Sequence, residues 1–153
     1  MTVSFAWFER RREVGALFIR LFMGTFLIYM SQDNVFGAER MAEFERFPRQ
    51  FGFPVPSIAA RVSAYAQFVC GILILVGAFT RAAAAVMIVN FIVAIVMVHT
   101  RLPFREALDP AAMLAGALSL LFHGAGVPSV DAVLARRRGA AREPSATFAS
   151  YRR

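Results

Sequence analysis

The side chains in this chain that can bind a ligand or move a proton are few, and most of them interrupt long apolar runs. Arg20 lies inside the run 14–32. A guanidinium keeps its charge and offers several donors, so in hydrocarbon something has to solvate it. It sits about two turns, roughly 9 Å, from the near end of its run. Three outcomes stay open: snorkelling to the headgroups, structural pairing, or binding an anionic or carbonyl-bearing ligand. A second group comprises Tyr29, Ser63, Tyr65, Gln67, His99 and Asp109, which the order of the runs gathers toward one side of a membrane. Ser63, Gln67 and Gly71 recur every four residues and share a helical face. The group reads either as an aromatic belt with hydrogen bonds between helices, or as a polar pocket in which His99 or Asp109 accepts and releases protons. A quinone headgroup suits the pocket, with Arg20, Gln67, His99, Asp109 and Tyr29 as candidate ligand-binding residues. Asn90, midway along the third run, and Arg81, between the second and third, read as structural polar residues.

Other chemistries find little support. His99 and His123 end adjacent runs of opposite direction, so they fall at opposite faces, about 20 Å or more apart, and cannot share one haem. The chain has no Cys-x-x-Cys-His, no carboxylate-histidine metal spacing and no Gly-rich phosphate loop. No metal and no intrinsic cofactor is expected. Cys70 is the single cysteine. A dithiol relay needs two, so Cys70 reads as a small packing residue. All 17 basic residues are arginine, and they give a net charge of +7. They flank apolar runs instead of forming a basic face with stacking aromatics, which argues against nucleic acid.

These residues must be positioned by elements that the apolar pattern defines. The chain is 58% hydrophobic with 16 Phe, and its mean hydropathy is +0.57, more than the core of a 153-residue soluble domain requires. The stretches 62–79 and 82–100 carry no formal charge over 18 and 19 residues. At about 1.5 Å rise per residue, either is long enough to cross a hydrocarbon layer of about 30 Å. Helix is the conformation that pairs every backbone group within such a segment. Together with 14–32 and about 110–125 they predict an all-α fold, an integral membrane four-helix up-down-up-down bundle. The run 14–32 follows a basic start, but it is long for a cleavable signal and lacks a small-residue cleavage site, so it reads as an anchor helix.

Between the first two spans, Met41, Phe44, Phe47 and Phe51 recur at three or four residues among charged neighbours. That spacing predicts a short amphipathic helix, broken at Pro48, lying on the bilayer surface or capping the bundle. Asp109 before Pro110 reads as the N-cap of the fourth span. Ala112 and Gly116 are small enough to let helices approach closely. Residues 1–134 form one transmembrane unit, and the Arg-rich tail 135–153 is expected to be disordered. With four spans, ten arginines and four acids share the side of the termini, against six of each on the other. The positive-inside rule then places both termini in the cytoplasm and the amphipathic helix in the first periplasmic loop.

Four motifs resemble the DoxX-like family of small bacterial four-span membrane proteins. They are Arg20-Leu21-Phe22-Met23-Gly24; Phe51-Gly52-Phe53-Pro54; Gly71 to Gly77 followed by Thr80-Arg81; and Gly124-Ala125-Gly126 with Ser129-Val130-Asp131. The chain departs from the family where Gln67 replaces a frequent Glu and where Tyr29-Met30-Ser31-Gln32 replaces a Gly/Lys pair. The resemblance implies a bacterial inner-membrane location and a link to redox chemistry, since relatives occur as the membrane subunit of a thiosulfate:quinone oxidoreductase and beside thiol-redox or superoxide-handling partners. The expected function is therefore a membrane subunit or anchor of a quinone-linked redox complex, not self-sufficient as an enzyme. Its partners would be membrane lipids, a protein of that complex and, in a homo-oligomer, further copies of itself. The alternative is a non-catalytic scaffold or assembly factor whose basic tail binds lipid or an acidic partner.

Overall fold

The computed structural model describes residues 12–140. The charged start and the final residues 141–153, and with them most of the expected tail, lie outside the described residues. Six α-helices and two 3-10 turns make up this part, with no strand among the described residues. Helix α1 is Arg12–Phe36, α2 is Ala38–Gln50, α3 is Pro56–Val76 and α4 is Thr80–Met97. The turns His99–Arg101 and Phe104–Ala107 lead into α5, Leu108–His123, and α6 is Val130–Ala140.

Local chemistry explains most boundaries. Gly37 separates α1 from α2 with one extended residue. A Cβ there would lie 2.7 Å from the Asp33 carbonyl oxygen, so only glycine permits so tight a joint. Pro56 occupies the first turn of α3, where its missing N–H costs nothing. The same helix ends at Gly77 in the left-handed conformation, φ 71°, with the Gly77 and Ala78 amides returning to Ile74 and Leu73.

The elements depart from the sequence expectations in several places. Helix α1 runs four residues past the expected end at 32, and α3 begins six before 62. Pro48 does not break α2, because it sits in the last turn. Its carbonyl is still available there to accept the Phe51 and Phe53 amides. Asp109 is not an N-cap: α5 begins at Leu108, so Asp109 lies within its first turn and makes no capping bond. The tail also starts as helix, since α6 covers 130–140.

Three described helices are long and apolar enough to cross a membrane by length and composition: Val14–Phe36, Pro56–Val76 and Thr80–Met97. Helix α5, with 16 residues, is shorter. Only 28% to 33% of each spanning window is buried inside the protein. The remainder exposes Phe18, Phe22, Val89 and similar side chains, so the outer surface needs an apolar surrounding as much as the core does.

Helix α1 packs chiefly on α3 and α4 chiefly on α5, and α3–α4 and α1–α5 contacts close the ring. Met23, Leu27, Ile74, Met87 and Leu120 fill the centre. The close crossing is at Gly24 and Gly71. A Cβ on Gly24 would stand 2.8 Å from Leu75 Cβ, and one on Gly71 would stand 3.0 Å from Leu27 Cβ. Ala112 is exposed, and a Cβ on Gly116 would come no closer than 3.4 Å to Met23 Sδ, so the expected α5 pair is not where helices approach most closely.

Candidate functional site

Arg20 lies at the end of the ring where α3 stops and α4 starts, and its residue is only 2% exposed. Its Nε donates to the Ile74 carbonyl at 3.0 Å and Nη2 to Leu75 at 3.1 Å. Nη1 donates twice, to Ala125 and to Pro128, each at 2.8 Å. The first two acceptors belong to the last turn of α3, where helix carbonyls lack an i+4 amide and carry partial negative charge, and the Ile74 carbonyl accepts from Arg20 as well as from the Gly77 amide. Four main-chain bonds therefore solvate the guanidinium in place, with no reach toward headgroups. Gly77 makes room for it, since a Cβ there would lie 2.6 Å from Arg20 Cζ.

The loop after α5 is fastened to the same spot. Asp131 Oδ1 accepts the Phe79 amide at 2.8 Å and Oδ2 the Thr80 amide at 3.0 Å, so the carboxylate caps α4 from a distant part of the chain. Ser129 Oγ accepts the Ala132 amide at 3.1 Å and caps α6. Three of the motifs noted in the sequence, around Arg20, Gly77-Thr80 and Ser129-Asp131, thus form one cluster. Nothing in their spacing announced that they would meet.

Toward the start of α3 the polar residues are arranged differently. Gln67 Nε2 donates to Ser63 Oγ at 3.0 Å, and Ser63 Oγ donates to Asn90 Oδ1 at 2.8 Å. This chain of bonds joins α3 to α4 and runs in one direction. Its two ends, the Gln67 Oε1 acceptor and the Asn90 Nδ2 donor, take part in no other hydrogen bond among the described residues. Both residues line a cavity of about 680 Å³, together with Ser63 and Asp109. Its other walls are apolar, with Phe26, Phe44, Phe47, Phe53 and Phe91 among them. That volume lies within the range of pockets for small organic ligands, about 300–1,000 Å³.

Helix α2 closes this end of the structure. Phe44, Phe47 and Pro48 face the cavity, so the aromatic stripe acts as a cap over the bundle. Glu45 fastens the cap to α3 through Arg61 Nε at 2.8 Å. The hydrogen bond from Arg61, helped by one with Ser57, holds the Glu45 carboxyl below the ordinary glutamate value.

The candidate ligand-binding residues therefore separate. Gln67 and Asp109 share the cavity with Asn90, which the sequence marked as a structural polar residue and which both bridges α4 to α3 and lines the cavity. Arg20 contacts α3 about two turns, roughly 10 Å, farther along than Gln67. Tyr29 is 67% exposed on the outer surface and does not line the cavity. The His99 side chain lies outside what the structure describes. Arg81 is exposed at the Arg20 end, where Nη2 reaches the Phe122 carbonyl at 3.4 Å. Among the described residues, no group of three or more His, Cys, Asp or Glu side chains is placed to hold a metal ion.

A family model described as DoxX matches residues 15–100, which include α1 to α4 apart from the first residues of α1. No curated protein and no solved structure matches the chain.

Proposed function

This chain belongs to the DoxX family, and from that membership together with the capped cavity we propose that it serves as a membrane subunit of a quinone-linked redox complex. It is an integral membrane protein, and in this reading α5 completes a four-helix up-down-up-down bundle in a bacterial inner membrane with both termini in the cytoplasm. The excess of arginine on the side of the termini supports that orientation.

The observation that carries the functional reading is the cavity with its directed polar wall. A quinone has two carbonyl oxygens on an apolar ring with an apolar tail, and the donor set fits it. Asn90 Nδ2 is available to a carbonyl oxygen and Gln67 Oε1 to the hydroxyl of the reduced form. The phenylalanine walls would hold the ring and tail. Such a group supplies two-electron, two-proton chemistry when bound. The protein's own part is to exclude water beneath α2, orient the ring and offer Asp109 as a proton acceptor at the edge of the cavity. A partner subunit would deliver or remove the electrons.

Purification in mild detergent followed by extraction and quantification of quinone tests this reading. Wild-type protein should retain quinone, and Asn90→Leu, which keeps the branched shape of the side chain and removes the donor, should retain far less. Equal quinone in both proteins, or none in either, would remove its basis.

A further inference from the structure

The Arg20 end of the ring holds a second hollow, of about 630 Å³, which the redox reading does not use. Arg81 and His123 stand on its rim, and both are exposed. Arg81 lies across Gly124, where a Cβ would be 3.4 Å from its Nε. Its one described hydrogen bond is the long contact to Phe122 at 3.4 Å, so most of the guanidinium fork remains available. His123 Nδ1 is 3.0 Å from the Ser119 carbonyl. A carbonyl only accepts, so Nδ1 carries the proton, and Nε2 of the neutral ring is an acceptor that donates nothing to an anion. The backbone amides of Gly126 and Val127, also in the lining, donate to no partner among the described residues. The acid in the lining, Asp131, has both oxygens committed to the Phe79 and Thr80 amides.

This combination of a free guanidinium fork and unpaired amides recognises a phosphate-type oxyanion. Its surroundings indicate the carrier. The hollow lies where the spanning helix α4 begins, and Phe79 and Phe122 beside it are 67% and 74% exposed, apolar surface suited to acyl chains. Arg136 and Arg137 are exposed on the adjoining α6. We propose that the Arg81–His123 hollow binds the phosphate of an anionic phospholipid headgroup and holds that lipid at the end of the bundle.

The test uses the full chain in nanodiscs of phosphatidylglycerol and phosphatidylcholine, with retained lipid counted by native mass spectrometry. Wild-type protein should enrich phosphatidylglycerol, and Arg81→Gln should lower that enrichment about fivefold, the factor expected for one interfacial arginine. Arg81→Lys should keep most of the enrichment, because the charge remains. If Arg81→Gln does not fold, which a melting curve reports, Arg81→Met against Arg81→Lys carries the comparison. Unchanged enrichment in a folded Arg81→Gln or Arg81→Met protein would overturn the proposal. So would a hollow that takes only free anion: inorganic phosphate raising the melting temperature of delipidated wild type but not of Arg81→Gln, with no phosphatidylglycerol enrichment.

Discussion

Asp131 caps the helix that begins at Thr80, 51 residues earlier, with its Oδ2 3.0 Å from the Thr80 amide. A cap supplied by a remote residue ties two parts of the chain together as well as satisfying free amides. Asp131→Ala should lower stability by about 1–2 kcal/mol, the usual cost of a lost N-cap, with Asp131→Asn losing less. Thermal unfolding in detergent monitored by circular dichroism measures both.

Arg20→Met should be more damaging. It strips a donor from four carbonyls, of which Ile74 keeps the Gly77 amide and two lie outside any helix, and a loss of about 3 kcal/mol is expected from unpairing buried polar groups. Arg20→Lys should recover only part of it, because an ammonium cannot reproduce the planar fork. The same melting assay decides, and a neutral Arg20→Met would show that the four bonds contribute little.

Gly77→Ala should destabilise through two independent causes. The φ of 71° disfavours any side chain, and the new Cβ would stand 2.6 Å from Arg20 Cζ. A cost of about 1–3 kcal/mol follows from the backbone alone. In the double variant with Arg20→Met the clash with the guanidinium is removed while the 2.6 Å approach to Ser129 Cβ stays, so the loss in the double variant should be less than the sum of the single losses.

The sequence carried the elements well and the site unevenly. Uncharged runs at 62–79 and 82–100 marked two helices, because hydrocarbon tolerates no other pattern, but the ends of those runs were set by Pro56 and Gly77 and not by charge. Gln67 and Asn90 were visible as polar exceptions, since α-helical spacing and the cost of polarity in lipid both single them out. Their bridging through Ser63 depends on how α3 is turned toward α4, which no local pattern encodes. Arg20 drew attention for its charge, while its partners are main-chain carbonyls, which have no residue-type signature. The Phe44 and Phe47 stripe announced an amphipathic helix; that it roofs a cavity became legible only with Gly37 holding α2 close to α1.

The cavity should respond to its polar wall with little change in fold. Gln67→Leu and Asn90→Leu should each weaken quinone retention by roughly tenfold, the equivalent of about one hydrogen bond in a dry site. Arg20→Lys should leave the retention per folded molecule unchanged. Extraction and chromatography of protein purified in mild detergent gives the ratio.

The Glu45–Arg61 pair should make the cap over the cavity acid-sensitive. Because Arg61 lowers the folded carboxyl below its ordinary value, the pair contributes stability above the ordinary glutamate range and loses it as pH falls through the lowered value. The difference in melting temperature between wild type and Arg61→Gln should therefore be present near neutrality and close on acidification. Arg61 is 63% exposed, so added salt should narrow the same difference.

The acceptors of Arg20 lie 54, 55, 105 and 108 residues ahead of it in the chain. A ribosome has therefore to extend the chain through Pro128 before that cation has its final surroundings. Until then the first helix enters the bilayer, or waits beside the translocon, with its guanidinium borrowing water or lipid phosphate. Final burial of the first helix thus waits for the Ala125–Pro128 turn, and a nascent chain stopped short of it would leave that guanidinium without two of its four acceptors.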